Sequence, residues 1–235
     1  MSVINLNQKK LSQLQYYILP GKPPTNFEHQ ELHDRAYCYW RDFWRKVFGD
    51  DESVLADDFI RQDFVPVVML DTQIVAMHLY TVFNPESVAT REHSYFKTYP
   101  PEFFDFLTER NAKRVMSIES LTVDPNWRKS QVGISLGETL IGASLKYLDA
   151  LDIDANIAPT RNDRGVNKMC YNFGFDCFRS KLDYKGFEID LVSGFRNTVR
   201  PNPDHEINEL IDQLWLNRID LTGQIPIESE HKQTA

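Results

Sequence analysis

The sequence predicts an α/β protein with a mixed, mostly antiparallel sheet and helices on both faces. Short apolar segments of strand length alternate with amphipathic helical segments along the 235 residues. Their order is a hairpin, a central strand, a helix, a strand, a helix and a second hairpin. The helix between the two middle strands acts as a crossover, so we expect those strands to be parallel, whereas the hairpins supply antiparallel pairs.

The first part of the chain predicts a strand, a long helix and a hairpin. Residues Gln15–Leu19 form the strand, and Pro20 and Gly21 end it. A helix is predicted from about residue 25 to residue 48, and strands at 64–70 and 74–83 make the hairpin. The helix carries an aromatic stripe at three- and four-residue spacing, which is typical of a surface that faces the core: Tyr37, Trp40, Trp44 and Phe48.

The second part begins with an aromatic insertion at about 85–111, for which we predict one or two short helices broken at Pro100 and Pro101. The first 222 residues form one predicted domain, and 223–235 form a predicted disordered tail. The remaining predicted elements are a central strand at 114–123, a helix at 131–150, a strand at 153–158, a helix at 162–173, a hairpin of 175–182 and 187–192, and a last helix at 204–218.

Composition limits the classes of function. The net charge of −8 argues against general nucleic-acid binding and suits a cationic or amine substrate. Cys38, Cys170 and Cys177 contain no C-x-x-C pair, so neither a disulfide framework nor a metal site is expected. The N-terminus lacks an apolar core of signal-peptide length, and no apolar run approaches the roughly 20 residues of a membrane helix. We therefore expect a cytoplasmic protein with reduced thiols.

The segment Leu121-Thr-Val-Asp-Pro-Asn-Trp-Arg-Lys-Ser-Gln-Val-Gly-Ile-Ser-Leu136 is the most informative part of the chain. It predicts an apolar strand that ends at Pro125, a loop with Arg128 and Lys129, and then a helix. Such a junction directs free backbone N–H groups and the positive end of a helix dipole at one point, which suits the pyrophosphate of a nucleotide-type cofactor. The alternative is an ordinary strand-to-helix turn that binds nothing.

This segment and a later one resemble the GNAT acyltransferase superfamily, whose members transfer an acyl group from coenzyme A to an amine. The family pattern L-x-V-x-P-x-x-[RQ]-x-x-G-x-[GA] is matched by Leu121, Val123, Pro125, Arg128 and Gly133, and Gln131 replaces the first glycine. The segment Met169-Cys-Tyr-Asn-Phe-Gly-Phe175 is similar to the end of the family's later helix, with Cys170 at the usual tyrosine position and Tyr171 one place later. The resemblance extends over about residues 113–178.

The resemblance implies a GNAT-like fold in which the two central parallel strands splay apart and admit the pantetheine arm of acetyl-CoA or another acyl-CoA. The backbone of Leu121, Thr122 and Val123 would pair with the pantetheine amides. Asn162 would contact the pantetheine or the adenine, or would only cap its helix. The pyrophosphate would meet the amides and charges of the loop: Arg128, Lys129, Ser130, Gln131, Val132, Gly133, Ile134 and Ser135.

Three side chains are candidates for proton transfer. Glu119 lies in an otherwise apolar strand, and alternation places it on the face of Leu121 and Val123. Burial would raise the pKa of its carboxyl group toward the range of a useful general base, and the alternative is a structural ion pair. Tyr171 is a candidate acid for the leaving thiolate, as is the Cys170 thiol, although core packing explains either residue equally well.

The aromatic insertion bears on the acyl donor, because it is compatible with a short or a long acyl chain. Its apolar content suits a pocket for a long acyl chain, as in the N-acyl amino acid synthase and acyl-homoserine-lactone (autoinducer) synthase branch, whose members often take the chain from acyl carrier protein. The insertion otherwise only covers the sheet. We therefore predict an N-acyltransferase for a small-molecule amine, with a carrier-protein-dependent synthase or a non-catalytic acyl-CoA-binding module as alternatives, and with a homodimer left open.

Overall fold

The computed structural model describes residues 9–49 and 52–226, which form one eight-stranded sheet with helices on both faces. The strand order is β6-β7-β5-β4-β3-β2-β1-β8. The strands are β1 (Gln15–Leu19), β2 (Val65–Leu70), β3 (Gln73–Phe83), β4 (Val115–Val123), β5 (Ala155–Arg161), β6 (Asp176–Tyr184), β7 (Phe187–Phe195) and β8 (Ile219–Asp220).

The helices separate into two layers. They are α1 (Phe27–Phe48), α2 (Ala56–Ile60), α3 (Val88–Arg91), α4 (Glu102–Glu109), α5 (Lys129–Val132), α6 (Leu136–Ala150), α7 (Val166–Asn172) and α8 (His205–Leu216), with 3₁₀ turns at Ser94–Thr98 and Pro125–Trp127. None of the helices within the described ranges combines the length and apolarity that a membrane crossing requires.

Antiparallel pairing dominates the sheet, as the sequence predicts. The hairpins β2–β3 and β6–β7 are antiparallel, and so are the pairs β1–β2, β3–β4 and β5–β7. The two middle strands β4 and β5 are parallel, because α6 crosses over between them. The mixed α/β fold class is therefore confirmed.

The two faces of the sheet have separate hydrophobic cores. Helices α6 and α8 cover one face through residues such as Leu140, Tyr147 and Leu214. On the other face, α1 covers β2 and β3 through Trp40 and its neighbours, and the 85–111 insertion covers β5 and β7. Two separate units therefore meet over β4 on this second face, and β4 lies beneath the seam between them.

A bulge in β4 reverses the orientation of its side chains. Ser120 has φ +56°, and the β3–β4 register shifts between Met77 and Leu79 at the same place. Before the bulge Ile118 belongs to the core beneath α6, and after it Leu121 packs against that same core. The prediction that Glu119 shares a face with Leu121 and Val123 is therefore wrong, because the extra residue shifts the alternation by one.

Two predicted helices have different boundaries. The predicted helix at 131–150 is α5 and α6, because Gly133 takes φ +86° and ends the first of them. Ser135 then caps α6 by accepting a hydrogen bond from the Glu138 amide. The predicted helix at 162–173 begins only at Val166, after Gly165, so Asn162 is not its N-cap.

Residues 223–226 do not have the disorder that the sequence predicts for them. Ile225 is 5% exposed and belongs to the core beneath α6 and α8. Its amide donates to a carboxylate oxygen of Asp220, which lies in β8 beside β1. Residues 223–226 are thus part of the folded domain, and the remainder of the predicted tail, 227–235, lies outside the described residues.

Candidate functional site

A cleft of about 1190 Å³ opens where β4 and β5 separate. The two strands pair only from Val115 with Ala155 to Ser117 with Ile157. Beyond this point β4 continues beside β3 as far as Val123, while β5 continues beside β7 as far as Arg161. No further β4–β5 pair exists within the described ranges, so the gap between the strands has the form that the resemblance implies.

Residues from both faces of the sheet line this cleft. From the gap itself come Ile118, Leu121, Val123, Ala158, Pro159, Thr160 and Arg161. From the face of α6 and α7 come His78, Arg128, Lys129, Ser130, Ser135, Leu136, Gly137, Ile141, Val166, Met169 and Cys170. From α1 and the β6–β7 hairpin come Tyr39, Asp42, Phe43, Trp44, Lys46, Val47 and Phe187.

The N-terminus of α6 forms one end of the cleft. The Glu138 amide donates to Ser135 Oγ, and the Thr139 amide donates to the Ser135 carbonyl. Within the described part of the chain no protein acceptor takes the amides of Leu136 and Gly137, which are first-turn amides of a 15-residue helix. This end of the cleft therefore presents free donors and the positive end of a helix dipole to an anion.

The loop before α6 contributes fewer amides than the sequence predicts. The Gln131 and Val132 amides both donate to the Arg128 carbonyl, and the Gly133 amide donates to that of Lys129. These three amides are satisfied inside α5, so the expectation that they face a pyrophosphate is wrong. Amides without a protein acceptor in the described structure occur instead at Leu136 and Gly137, because Gly133 ends α5 and lets the chain start α6.

Positive charge lies at the mouth of the cleft. Arg128 and Lys129 are exposed and line the cleft together with Ser130. Lys129 Nζ lies 3.9 Å from a carboxylate oxygen of Asp204, which is a weak contact at an exposed surface. Ile134 is buried in the core and does not line the cleft, whereas the adjacent Ser135 does.

The backbone of β4 alternates between β3 and the gap. The Asp124 amide donates to the Val75 carbonyl at 2.9 Å, so the peptide groups of Asp124 and Thr122 point toward β3. Those of Val123 and Leu121 consequently point into the gap, where they are available to a strand-like ligand. Thr122 differs from the prediction, since its hydroxyl also accepts from the Trp44 indole at 3.0 Å on the face of α1.

Glu119 is buried at the seam on the second face. One carboxylate oxygen accepts from Arg61 Nη2 at 2.7 Å, and the other accepts from Ser117 Oγ at 2.8 Å. Burial raises the pKa of Glu119, and the positive charge of Arg61 opposes this rise. Its side chain is 14% exposed and is not one of the residues that line the cleft in the described ranges.

Cys170 and Tyr171 point in different directions from α7. Cys170 is fully buried and lines the cleft, and burial raises the pKa of its thiol. The Tyr171 hydroxyl donates to a carboxylate oxygen of Asp190 at 2.6 Å, and Tyr171 is outside the described cleft lining. Of the two candidate acids, only Cys170 therefore faces the gap.

Asp190 in β7 accepts hydrogen bonds from Tyr171 and from two side chains near it. These two are Asn167 at 3.0 Å and Asn162 at 2.9 Å. Burial opposes ionisation of Asp190, but the hydrogen bonds from Tyr171, Asn167 and Asn162 outweigh it and hold its pKa at about 2. The side-chain amide of Asn162 thus donates to Glu188 and Asp190 rather than to a group in the cleft.

The structure adds cleft residues that are not among the predicted site residues. His78 of β3 is 2% exposed and lines the cleft, and Trp44 contributes both to the core and to the cleft wall. Tyr39 also lines the cleft, and its hydroxyl is fully enclosed without a hydrogen bond in the described structure.

The aromatic insertion packs onto the sheet. Tyr95, Phe96, Phe103 and Phe104 belong to the core over β5 and β7 and are at most 8% exposed. None of the residues of α3 or α4 is among those that line the cleft in the described ranges. The expectation that the insertion forms an acyl-chain pocket is not met here, and the covering role explains its aromatic content.

Comparisons by sequence find nothing, since no family model and no curated protein matches the chain. Solved structures do match. The N-acyl amino acid synthase FeeM from uncultured soil microbes has a TM-score of 0.56 at 10% identity, over 78% of this chain and 90% of its own. The CoA-dependent acyl-homoserine lactone synthase BjaI, with SAM and isopentyl-CoA, has a TM-score of 0.55 at 9% identity, over 91% and 95%.

A putative arylalkylamine N-acetyltransferase 7 from the yellow fever mosquito Aedes aegypti has a TM-score of 0.53 at 15% identity, over 69% of this chain and 83% of its own. These structures differ in acceptor and donor but share one architecture with this chain. At such low identities the likeness concerns architecture alone. The chain has the fold of the GNAT acetyltransferases.

Proposed function

We propose that this protein is an N-acyltransferase that transfers an acyl group from an acyl-CoA to a small-molecule amine. The observation that carries the proposal is the gap between β4 and β5, which opens at the N-terminus of α6. A strand edge, free helix amides and a long cleft occur together at this point. Acetyl-CoA and longer acyl-CoAs remain alternative donors.

The residues of the cleft suit coenzyme A in three places. The diphosphate would lie against the amides of Leu136 and Gly137, with Arg128 and Lys129 at the mouth. The pantetheine arm would run along β4, where the peptide groups of Leu121 and Val123 face the gap. The thioester would then lie near Ile118, just beyond the last β4–β5 pair.

Glu119 would take the proton of the attacking amine. It follows Ile118 directly, and it lies on the face opposite the diphosphate, where the units of α1 and the insertion meet. Each of its oxygens accepts one hydrogen bond from the protein and retains a lone pair. Direct attack by the amine needs no covalent enzyme intermediate, so one base and one proton donor are sufficient.

The leaving thiolate would be protonated from the side of α7. Cys170 is the thiol that lines the gap there, and burial keeps it protonated. Tyr171 is engaged with Asp190 and supports β7 instead. Solvent entering the open cleft is an alternative proton source, and replacing Cys170 by serine or alanine separates the two.

A non-catalytic acyl-CoA-binding module is the second candidate, and the Arg61–Glu119 ion pair favours it. If the Arg61 ion pair weakens Glu119 as a base and holds it away from the acceptor amine, the protein binds acyl-CoA without turnover. A single test separates the candidates. Binding of CoA and acetyl-CoA is measured by calorimetry, and release of free CoA thiol is followed with a panel of amines.

The proposal expects binding together with thiol release that depends on the amine. Binding without release on any amine supports the module. Absence of binding contradicts both candidates. Longer acyl-CoAs in the same assay report the preferred chain length, and an acylated carrier protein as donor tests the synthase-like alternative.

A further inference from the structure

His78 is a buried histidine with one nitrogen directed at the cleft. It lies in β3 and is 2% exposed, and it contributes to the cleft wall together with Leu121 and Ile141. Its Nδ1 lies 3.2 Å from the hydroxyl oxygen of Tyr80. The mechanism above does not use it.

The hydrogen bonds around Tyr80 fix the tautomer of His78. The Tyr80 hydroxyl has one proton and donates it to the carbonyl oxygen of Leu140 at 3.3 Å. With that proton directed at Leu140, we assign to His78 the tautomer in which Nδ1 carries the proton and donates to the hydroxyl oxygen. Burial lowers the pKa of His78 to about 3, so the ring is neutral near pH 7 and Nε2 holds a lone pair.

Nε2 has no partner within the described part of the protein, since the Nδ1 contact is the one hydrogen bond that His78 makes through its ring. It is also absent from the polar atoms that are fully enclosed without a partner there, so it reaches the surface of the cleft. A neutral acceptor in an apolar wall attracts an N–H donor, because an unmet acceptor at a desolvated site costs free energy.

The position of His78 along the cleft indicates which donor it meets. His78 lies between the pairs Met77–Thr122 and Leu79–Glu119, opposite the bulge at Ser120. Leu121 is three residues beyond Ile118, which is about 10 Å at roughly 3.3 Å per residue. His78 is therefore beside the middle of the parted segment, between the diphosphate end and the point where the strands separate.

We propose that Nε2 of His78 accepts a hydrogen bond from an amide N–H of the pantetheine arm and so sets the depth of the thioester in the gap. The inference rests on the proposed function, because it assumes that the ligand is an acyl-CoA. His78 transfers no proton in this role. The β4 backbone holds the arm from one side, and His78 holds it from the wall.

The test compares two ligands on three proteins. CoA has the arm, whereas adenosine 3′,5′-bisphosphate has the nucleotide end without it. His78→Phe removes the acceptor at similar size, and His78→Gln keeps an acceptor oxygen. We expect His78→Phe to weaken CoA about tenfold with unchanged bisphosphate affinity, and His78→Gln to recover part of the loss.

The bisphosphate affinity of each variant shows that its fold and the nucleotide end of its cleft are intact. Equal affinity of wild type and His78→Phe for CoA overturns this inference alone, and so does a loss that is the same for both ligands. If wild-type protein binds neither ligand, the proposed function fails and the inference fails with it.

A second measurement needs no substitution. In wild-type protein labelled with ¹⁵N-histidine, Nε2 of His78 should have the chemical shift of an unprotonated nitrogen. CoA should move this resonance toward that of a hydrogen-bonded acceptor, and the bisphosphate should leave it in place. A protonated Nε2, or an equal response to both ligands, overturns the assignment.

Discussion

The paired and the parted halves of β4 and β5 differ in what their backbones contact. Over Val115–Ser117 the two strands hydrogen-bond to each other and exclude everything else. From Ile118 onward each strand keeps its outer neighbour and leaves its partner. In the first half the backbone N–H and C=O groups that face the partner strand are hydrogen-bonded to it. In the second half the corresponding groups have no partner strand and are available to a ligand.

The difference teaches where function lies in this fold. Ser117 in the paired half is fully buried, and the Ser120 bulge marks the start of the free edge. Substitutions in the paired half should change stability, and substitutions in the parted half should change binding or turnover.

Glu119→Gln should give the largest change in turnover. Removing a general base typically costs a factor of about 10² to 10⁴, and we expect a loss in this range in kcat with little change in CoA affinity. In wild type, kcat should rise with pH until it passes the pKa of Glu119, which burial raises above its ordinary value. Steady-state kinetics between pH 4 and pH 8 measure both effects.

Asp63→Asn is the matched control, because Asp63 is another partly buried carboxylate whose pKa burial raises, and it accepts from the Val82 amide. It should retain turnover and the pH profile. If Glu119→Gln remains as active as this control, Glu119 serves only its ion pair with Arg61.

Gly137→Leu should close the cleft. A Cβ at Gly137 would lie 3.2 Å from Met169 Sδ and 3.6 Å from Leu121 Cδ2, so a larger side chain extends into the gap. We expect CoA affinity to fall by more than about 100-fold, whereas Gly137→Ala should bind almost normally because Met169 can adjust. Calorimetry with CoA and a thermal melt check both variants, and tight binding by the leucine variant contradicts the placement of the diphosphate.

Asp190→Asn should lower stability rather than binding. Asp190 pairs with Thr160 where β5 has left β4, and its network holds the outer half of the sheet. Because its pKa is depressed from 3.8 to about 2, its contribution of about 2 kcal/mol is present above pH 4 and is lost as the pH falls to 2. Urea unfolding across this pH range should show the loss in wild type and not in the variant, and identical pH dependence would exclude the network.

Arg128→Gln should have a smaller effect, since Arg128 is exposed at the mouth of the cleft. We expect CoA affinity to fall about three- to fivefold at low salt and less at high salt. Lys113→Gln is the control, because Lys113 is an equally exposed cation just before the paired end of β4. Calorimetry at two salt concentrations separates them, and equal effects would mean that only net charge matters.

Ser120→Gly should have the smallest effect. Ser120 has φ +56°, which glycine adopts without strain, so unfolding free energy should change by less than about 1 kcal/mol and CoA binding should persist. Ser120→Val should destabilise, because a β-branched residue resists this conformation. Urea unfolding of both variants checks the pair, and equal stability would mean that the bulge relaxes.

The sequence predicts most of the fold because its elements have clear periodicity and end signals. The hairpins, the parallel pair and the last helix are found where expected, and Asp204 caps that helix. The split between α5 and α6 was missed because a glycine within an apolar segment also occurs inside helices, and only its φ of +86° shows the break.

The site was predicted in outline and not in detail. The strand–loop–helix segment does bring free helix amides to one end of the cleft, but local hydrogen bonds inside α5 determine which amides are free. Glu119 could not be placed from alternation, because the bulge at Ser120 shifts the register of β4. The Tyr171–Asp190 contact joins residues 19 apart in the sequence, and no local pattern reveals it.

Hydrogen exchange with and without CoA tests the central claim most directly. If the parted strands hold the pantetheine arm and α6 holds the diphosphate, CoA should slow exchange at Leu121, Val123, Leu136 and Gly137. The paired residues Val115–Ser117 should exchange at the same rate in both states. Protection spread evenly over the sheet, or none at the gap, would contradict the claim.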